Sequence, residues 1–150
     1  MPATQAEKAN RLVALHAGRG AFVIANAWDA GSARMLTSLG FAALATSSGA
    51  AAGILGRPDG KNSRDESLTH AKAIVEATDL TVSADLENGF GDTPGDAAAT
   101  IIGAIAAGLV GGSIEDYSGQ TTYAEDLAVA RIEAAVAAAR RAGCGASRRR

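Results

Sequence analysis

The chain lacks most of what would commit it to several large protein classes. It has one cysteine, Cys144, so an intramolecular disulfide is excluded. It has no basic excess. Fourteen Lys and Arg stand against sixteen Asp and Glu, a net charge of −2, so no overall field draws in nucleic acid. Arg140, Arg141, Arg148, Arg149 and Arg150 crowd the C-terminus, but a short basic end without aromatics reads as a solvated tail. Met1 to Asn10 lacks the basic-then-apolar pattern of a signal peptide. The apolar stretch from Ala97 to Ile114 has the length of a membrane span, yet Gly103, Gly108, Gly111 and Gly112 divide it into a helix and a strand. No Gly-x-Gly-x-x-Gly follows the first strand, which counts against a dinucleotide. These absences leave a cytoplasmic, soluble domain with no nucleic-acid or membrane partner.

What is present is 47% hydrophobic residues, with abundant alanine and 18 glycines. Such small side chains suit helices packed closely on a sheet. Periodicity predicts a helix over Thr4 to Ala17, stopped by Gly18, then a strand over Ala21 to Ala25. Asp29 caps a helix running to Leu39, ended by Gly40. Phe41 to Thr46 reads as a strand, followed by a Ser47-Ser48-Gly49 loop and a longer connection through Pro58-Asp59-Gly60. Ser63 and Glu66 form a capping box for a helix to about Ala77. Leu80 to Asp85 is the third strand, Pro94 opens a helix that stops at Gly108, and Leu109 to Glu115 is the fourth strand. Tyr123 to Arg141 is the last helix, with Leu127, Ala130, Ile132, Ala135 and Val136 on its core side. A leading helix and four strand–helix units make an α/β fold with parallel strands, either an open sheet or half of an eight-stranded barrel. A full barrel takes roughly 250 residues.

The chemistry concentrates in Ala84-Asp85-Leu86-Glu87-Asn88-Gly89-Phe90-Gly91-Asp92. Residues two apart on a strand share a face, so Asp85 and Glu87 point the same way at a strand's C-terminal end. Gly112-Ser113-Ile114-Glu115-Asp116 ends the next strand with acid as well. Like charges held together call for a cation or a proton between them. A hard ion such as Mg²⁺ suits oxygen ligands and keeps bound water. In parallel α/β folds, ligands bind beyond these strand ends.

Five motifs in order resemble the isocitrate lyase/phosphoenolpyruvate mutase superfamily, over about Ala21 to Arg141. They are Asn26-Ala27-Trp28-Asp29-Ala30, Thr46-Ser47-Ser48-Gly49, Leu55-Gly56-Arg57-Pro58-Asp59-Gly60, the Asp85–Asp92 segment and Ile114-Glu115-Asp116. The resemblance implies the N-terminal portion of a TIM-type (β/α)₈ barrel, truncated, with 1–141 as a partial barrel domain and 142–150 as a disordered basic tail. It implies an oligomeric enzyme that binds Mg²⁺ and a small α-oxo or 2-hydroxy carboxylate, and breaks a C–C or C–P bond through an enolate-like intermediate. By motif, Asp85 would be the principal metal residue, with Glu87 and Glu115 holding metal-bound waters. Ser47, Ser48 and Gly49 would hold the substrate carboxylate, Asp59 and Glu115 would act at the reacting centre, and Trp28 would line the pocket.

One departure narrows the chemistry. Lyases of this superfamily carry a Lys-Arg-Cys-Gly-His type motif after the fourth strand; here the loop reads Tyr117-Ser118-Gly119-Gln120-Thr121-Thr122. Without that cysteine, isocitrate-type cleavage is disfavoured, and the sequence with Tyr123 and Arg131 resembles the phosphonomutase-like branch. A second reading stays open: a catalytically inactive half-barrel that only self-associates. Each motif also has an ordinary reading. Ser47-Ser48-Gly49 and Pro58-Asp59-Gly60 are common turns, Trp28 a packing residue, and His16 and His70 helix residues remote from the strand ends.

Overall fold

The structure, a computed structural model, describes residues 2–142. Helix α1 (Gln5–Ala17) leads. Four strand–helix units follow: β1 (Ile24–Asn26) with α2 (Ala30–Ser38), β2 (Ala43–Ala45) with α3 (Ser48–Ile54) and α4 (Arg64–Glu76), β3 (Thr81–Asp85) with α5 (Pro94–Ala106), and β4 (Gly111–Ser113) with α6 (Glu125–Arg141). The strands are all parallel and lie in the order β1-β2-β3-β4. Sheet order equals chain order, so each crossover advances one strand in one direction. That is barrel winding, not the reversal of a doubly wound sheet. The architecture matches the N-terminal part of a TIM-type barrel.

Helices begin where the sequence supplies caps. Thr4 with Glu7, Asp29 with Ser32, Ser63 with Glu66 and Thr93 with Asp96 each form a reciprocal capping box. Each such cap contributes about 1 kcal/mol. The hydrogen bonds from Thr4, Ser32, Ser63 and Thr93 hold the carboxyls of Glu7, Asp29, Glu66 and Asp96 below the usual range. These four acids are therefore committed to helix ends.

The core is small-residue packing around a few large side chains: Leu44, Val82, Leu86, Ile74 and Leu109 are buried among Ala27, Ala33, Ala84 and Ala104. The two glycines of β4 are required by this closeness. A Cβ on Gly111 would stand 2.7 Å from Leu12 Cδ2 of α1, and one on Gly112 would stand 2.9 Å from Leu86 Cδ1. Side-chain-free positions in β4 thus let α1 and the β3 end approach the sheet.

Several expectations are corrected. The strands are shorter than the apolar runs, because Val23 at the entry to β1 is exposed and β4 begins only at Gly111. The loop after Ser47 is a seven-residue helix, α3, capped by the Ser47 hydroxyl. On α6 the buried residues are Arg131, Ala135 and Ala138, while Ile132 is 45% exposed. The expected tail falls almost wholly on Gly143–Arg150, outside the described residues, as does Cys144. No helix among the described residues is long and apolar enough to cross a membrane.

Candidate functional site

The site is assembled at the C-terminal ends of β2, β3 and β4. Beyond β2, the Thr46 hydroxyl accepts the Asp85 N–H at 3.1 Å, tying the two strand ends together. Each Asp85 carboxylate oxygen accepts a backbone amide: Oδ2 from Ser48 at 3.0 Å and Oδ1 from Glu87 at 3.1 Å. The carboxylate is thereby fixed between the start of α3 and the turn after β3.

That turn is unusual. Strand β3 stops at Asp85, and Glu87 takes a φ of 47°, with Phe90 at 56°. Left-handed backbone is costly for residues with a side chain, at about 1 kcal/mol or more each, and it concentrates at functional sites. Glu87 therefore reaches the strand-end region through a left-handed turn, not by the strand alternation the sequence suggests. Its carbonyl accepts the Glu115 N–H at 2.8 Å. This bond brings Glu115 beside it, although β4 already ends at Ser113.

Asp59 enters from the connection between α3 and α4. A Cβ on Gly49 would lie 3.4 Å from the Asp59 carboxylate, so the absence of a side chain at Gly49 leaves room for the acid. Asp59, Glu87, Glu115 and Ser48 line one open cavity of about 880 Å³, together with Asn62, Arg64, Asn88, Tyr117 and Ser118.

Electrostatically the cavity is acidic, and its one lining cation, Arg64, is paired with Asp65. Burial raises the proton affinity of Glu87, and the charges of Asp59, Asp85 and Glu115 raise it further. Among the described residues, Glu87 is the one carboxyl pushed upward, and the ion pairs Arg57–Glu66, Arg64–Asp65 and Lys72–Glu76 involve none of these four acids. An all-oxygen, anionic donor set of this kind fits a hard divalent cation. Among the described residues, no group of three or more His, Cys, Asp or Glu side chains stands ready-made as a metal cage. Mg²⁺ usually keeps several waters and takes only one or two carboxylates from the protein.

Ser48, Asp59, Glu87 and Glu115 thus face one cavity, whereas Asp85 and Gly49 lie behind its lining, Asp85 against the Ser48 and Glu87 amides and Gly49 against Asp59. The Ser47 hydroxyl is instead engaged in capping α3, accepting the Ala50 N–H at 3.3 Å. Trp28 is 59% exposed and lies outside the cavity lining, its carbonyl accepting from His70 Nε2 at 2.6 Å. Sequence reasoning missed Asn62, Arg64 and Asn88 as cavity residues. For Asn62 and Arg64 the available signal was their position flanking the Ser63 cap, since a helix N-terminus opening toward strand ends presents its first residues to any ligand there. The loop noted for lacking cysteine is a tight turn. Ser118 donates its N–H to the Thr121 carbonyl at 2.9 Å, and Tyr117 bridges Thr122. The Ser118 hydroxyl is engaged within the turn, donating to the Thr121 carbonyl and accepting the Gln120 and Thr121 N–H groups, so of this loop Tyr117, Ser118 and Gly119 line the cavity without a free serine hydroxyl.

Comparison with known proteins identifies the family and the fold. The family model for phosphoenolpyruvate phosphomutase matches residues 12–146. A protein of Burkholderia cenocepacia J2315, provisionally assigned as a lyase/mutase, has a crystal structure that superposes with a TM-score of 0.89 at 54% identity, covering 91% of this chain and 50% of that one. A 2,3-dimethylmalate lyase structure superposes with a TM-score of 0.83 at 28% identity, covering 95% of this chain and 50% of its own. The uncharacterized protein Rv1998c of Mycobacterium tuberculosis is 34% identical over 113 residues, 75% of this chain and 43% of that protein. The chain spans about half the length of these relatives.

Proposed function

The chain belongs to the phosphoenolpyruvate phosphomutase family, and from that premise we propose that its strand-end cavity serves a Mg²⁺-dependent lyase, mutase or hydrolase reaction on a small α-oxo or 2-hydroxy carboxylate. The observation that carries this reading is the charge of Asp59, Asp85 and Glu115 acting on the half-buried Glu87 and pushing it toward protonation, with no ion pair to any of the four among the described residues. Solved relatives described as 2,3-dimethylmalate lyase and oxaloacetate acetylhydrolase supply the substrate class.

Asp85, Glu87 and Glu115 would hold the cation, Asp85 most directly because both its oxygens are already oriented by amides. A divalent ion there would supply positive charge opposite the oxygen on which an enolate-like charge develops. The protein's own part is positional. The first turn of α3 presents Ser48 and Gly49 to a substrate carboxylate. Asp59, exposed and with Oδ1 accepting the Gly60 N–H at 2.9 Å, would orient or accept the proton of a leaving or attacking hydroxyl. Glu87, with its raised proton affinity, would release its proton to solvent on holding a cation. The Tyr117–Thr122 loop carries no thiol acid, which favours phosphonomutase-like or hydrolytic chemistry over isocitrate-type cleavage.

The test is turnover of oxaloacetate, 2,3-dimethylmalate and phosphonopyruvate by the purified chain, with Mg²⁺ and with chelator. Turnover of at least one, lost in chelator and in Asp59→Asn, supports the proposal. Turnover indifferent to both, or none at all, contradicts it.

A further inference from the structure

Arg131 is the most deeply buried charged side chain in the fold, 1% exposed, and among the described residues it forms no ion pair. A buried guanidinium costs several kcal/mol unless its donors are satisfied. Here the acceptors are backbone carbonyls of the turn that follows Glu87. Nη1 donates to the Gly91 carbonyl at 2.7 Å, and Nη2 donates to the Asn88 carbonyl. The guanidinium carbon also lies 4.2 Å from the centre of the Tyr123 ring, within cation–π range.

Tyr123 grips the same turn from its other side. Its hydroxyl accepts from Asn88 Nδ2 at 2.9 Å and donates to Asp92 Oδ1 at 2.6 Å. Asn88 Oδ1 in turn accepts the Phe90 N–H at 3.0 Å, and Thr100 Oγ1 donates to the Gly89 carbonyl at 2.7 Å. Every residue from Asn88 to Asp92 is therefore held by a side chain, and two of the holding groups come from the segment that leads into and forms α6. Glu87, with its left-handed backbone, sits at the head of this turn. Its own backbone is held at two points, the N–H donating to Asp85 and the carbonyl accepting from Glu115, and the Asn88–Asp92 turn fixes the chain that follows. A strained conformation persists only where its surroundings over-determine it.

We propose that Tyr123 and Arg131 are positioning residues that clamp the Asn88–Asp92 turn and thereby hold Glu87 in the geometry needed for cation binding. The inference rests on the metal reading of Asp85, Glu87 and Glu115, and adds residues remote from the cavity to it. Groups that orient ligands in this indirect way are commonly worth 10- to 100-fold in metal affinity.

Tyr123→Phe is the informative variant, because it keeps the ring against Arg131 and removes only the hydroxyl. Arg131→Lys keeps the charge and loses the planar fork. Mn²⁺ is titrated by electron paramagnetic resonance into the full chain, the two variants, Glu87→Gln and Asp92→Asn, and amide hydrogen exchange is followed over 87–92. The clamp predicts that Tyr123→Phe weakens Mn²⁺ binding about tenfold and speeds exchange at 87–92, with melting temperature nearly unchanged. Asp92→Asn keeps an acceptor for the tyrosine and stays close to the parent. Arg131→Lys has the larger effect on both readouts. If Tyr123→Phe leaves both affinity and exchange unchanged while Glu87→Gln weakens binding, the clamp is wrong and the metal reading stands. If the parent chain and Glu87→Gln bind Mn²⁺ alike, the metal reading of Glu87 fails, and unchanged exchange in Tyr123→Phe then overturns the clamp separately.

Discussion

The Glu115 N–H donates to the Glu87 carbonyl at 2.8 Å, joining two acids that lie past the ends of their strands. Through this single bond the β3 and β4 termini deliver their carboxylates as a pair. The bond keeps the two backbones together, and the Glu115 charge adds to burial and to Asp59 and Asp85 in raising the proton affinity of Glu87.

Replacing Glu87 by Gln should therefore stabilise the metal-free chain at neutral pH. The native carboxyl has its proton affinity raised, so between the unfolded value near 4.5 and the higher folded value the folded state binds more protons. Stability then falls as pH rises through that window and stays reduced above it. The melting temperature of Glu87→Gln should exceed that of the parent by about 2 °C at pH 7, as suits a half-buried group. The difference should vanish below the unfolded value, where both states are protonated. Paired thermal scans across pH check this; a Gln variant less stable at pH 7 contradicts it.

Cation binding should weaken as pH falls, and should begin to do so above the ordinary carboxylate range. Glu87 must lose its proton to accept the ion, so protons and cation compete. Calorimetric Mg²⁺ titrations between pH 8 and pH 5 should show affinity dropping as the pH approaches the raised Glu87 value. In Glu87→Gln that upper part of the pH dependence should disappear.

Gly91→Ala should destabilise through a helix cap some distance away in sequence. A Cβ at Gly91 would stand 2.4 Å from Asp96 Cγ and 2.6 Å from Oδ2, the oxygen that accepts the Thr93 N–H and hydroxyl. The collision expels Asp96 from its capping box at the start of α5, costing about 1–2 kcal/mol. Thr93→Ala breaks the same box, so the double variant should cost much less than the sum of the two singles. Denaturant unfolding of the three variants measures this directly.

Much of this was legible in the sequence, and the exceptions have physical causes. Capping residues and glycine stops located most helices, because they report on backbone hydrogen bonds local to the chain. The acid motifs located the strand ends. Helix α3 was missed because six of its seven residues are Ser, Ala or Gly and Ile54 alone makes no periodic apolar face, and only the Ser47 cap marked it. The core face of α6 was misread because Arg131 looks like a surface residue. Its burial depends on carbonyls some forty positions earlier, which no pattern of side chains announces. The pleat argument put Asp85 and Glu87 on one face, whereas a left-handed turn unites them. Trp28 and Ser47 were assigned to the pocket by motif, yet one is exposed and the other caps a helix.

The central claim is that Asp85, fixed by the Ser48 and Glu87 amides, anchors a divalent cation among these acids. Its most direct test is a calorimetric Mg²⁺ titration of the parent chain and Asp85→Ala at neutral pH. The account predicts one site in the parent and none in the variant. Equal binding in both, or no binding in the parent, contradicts it.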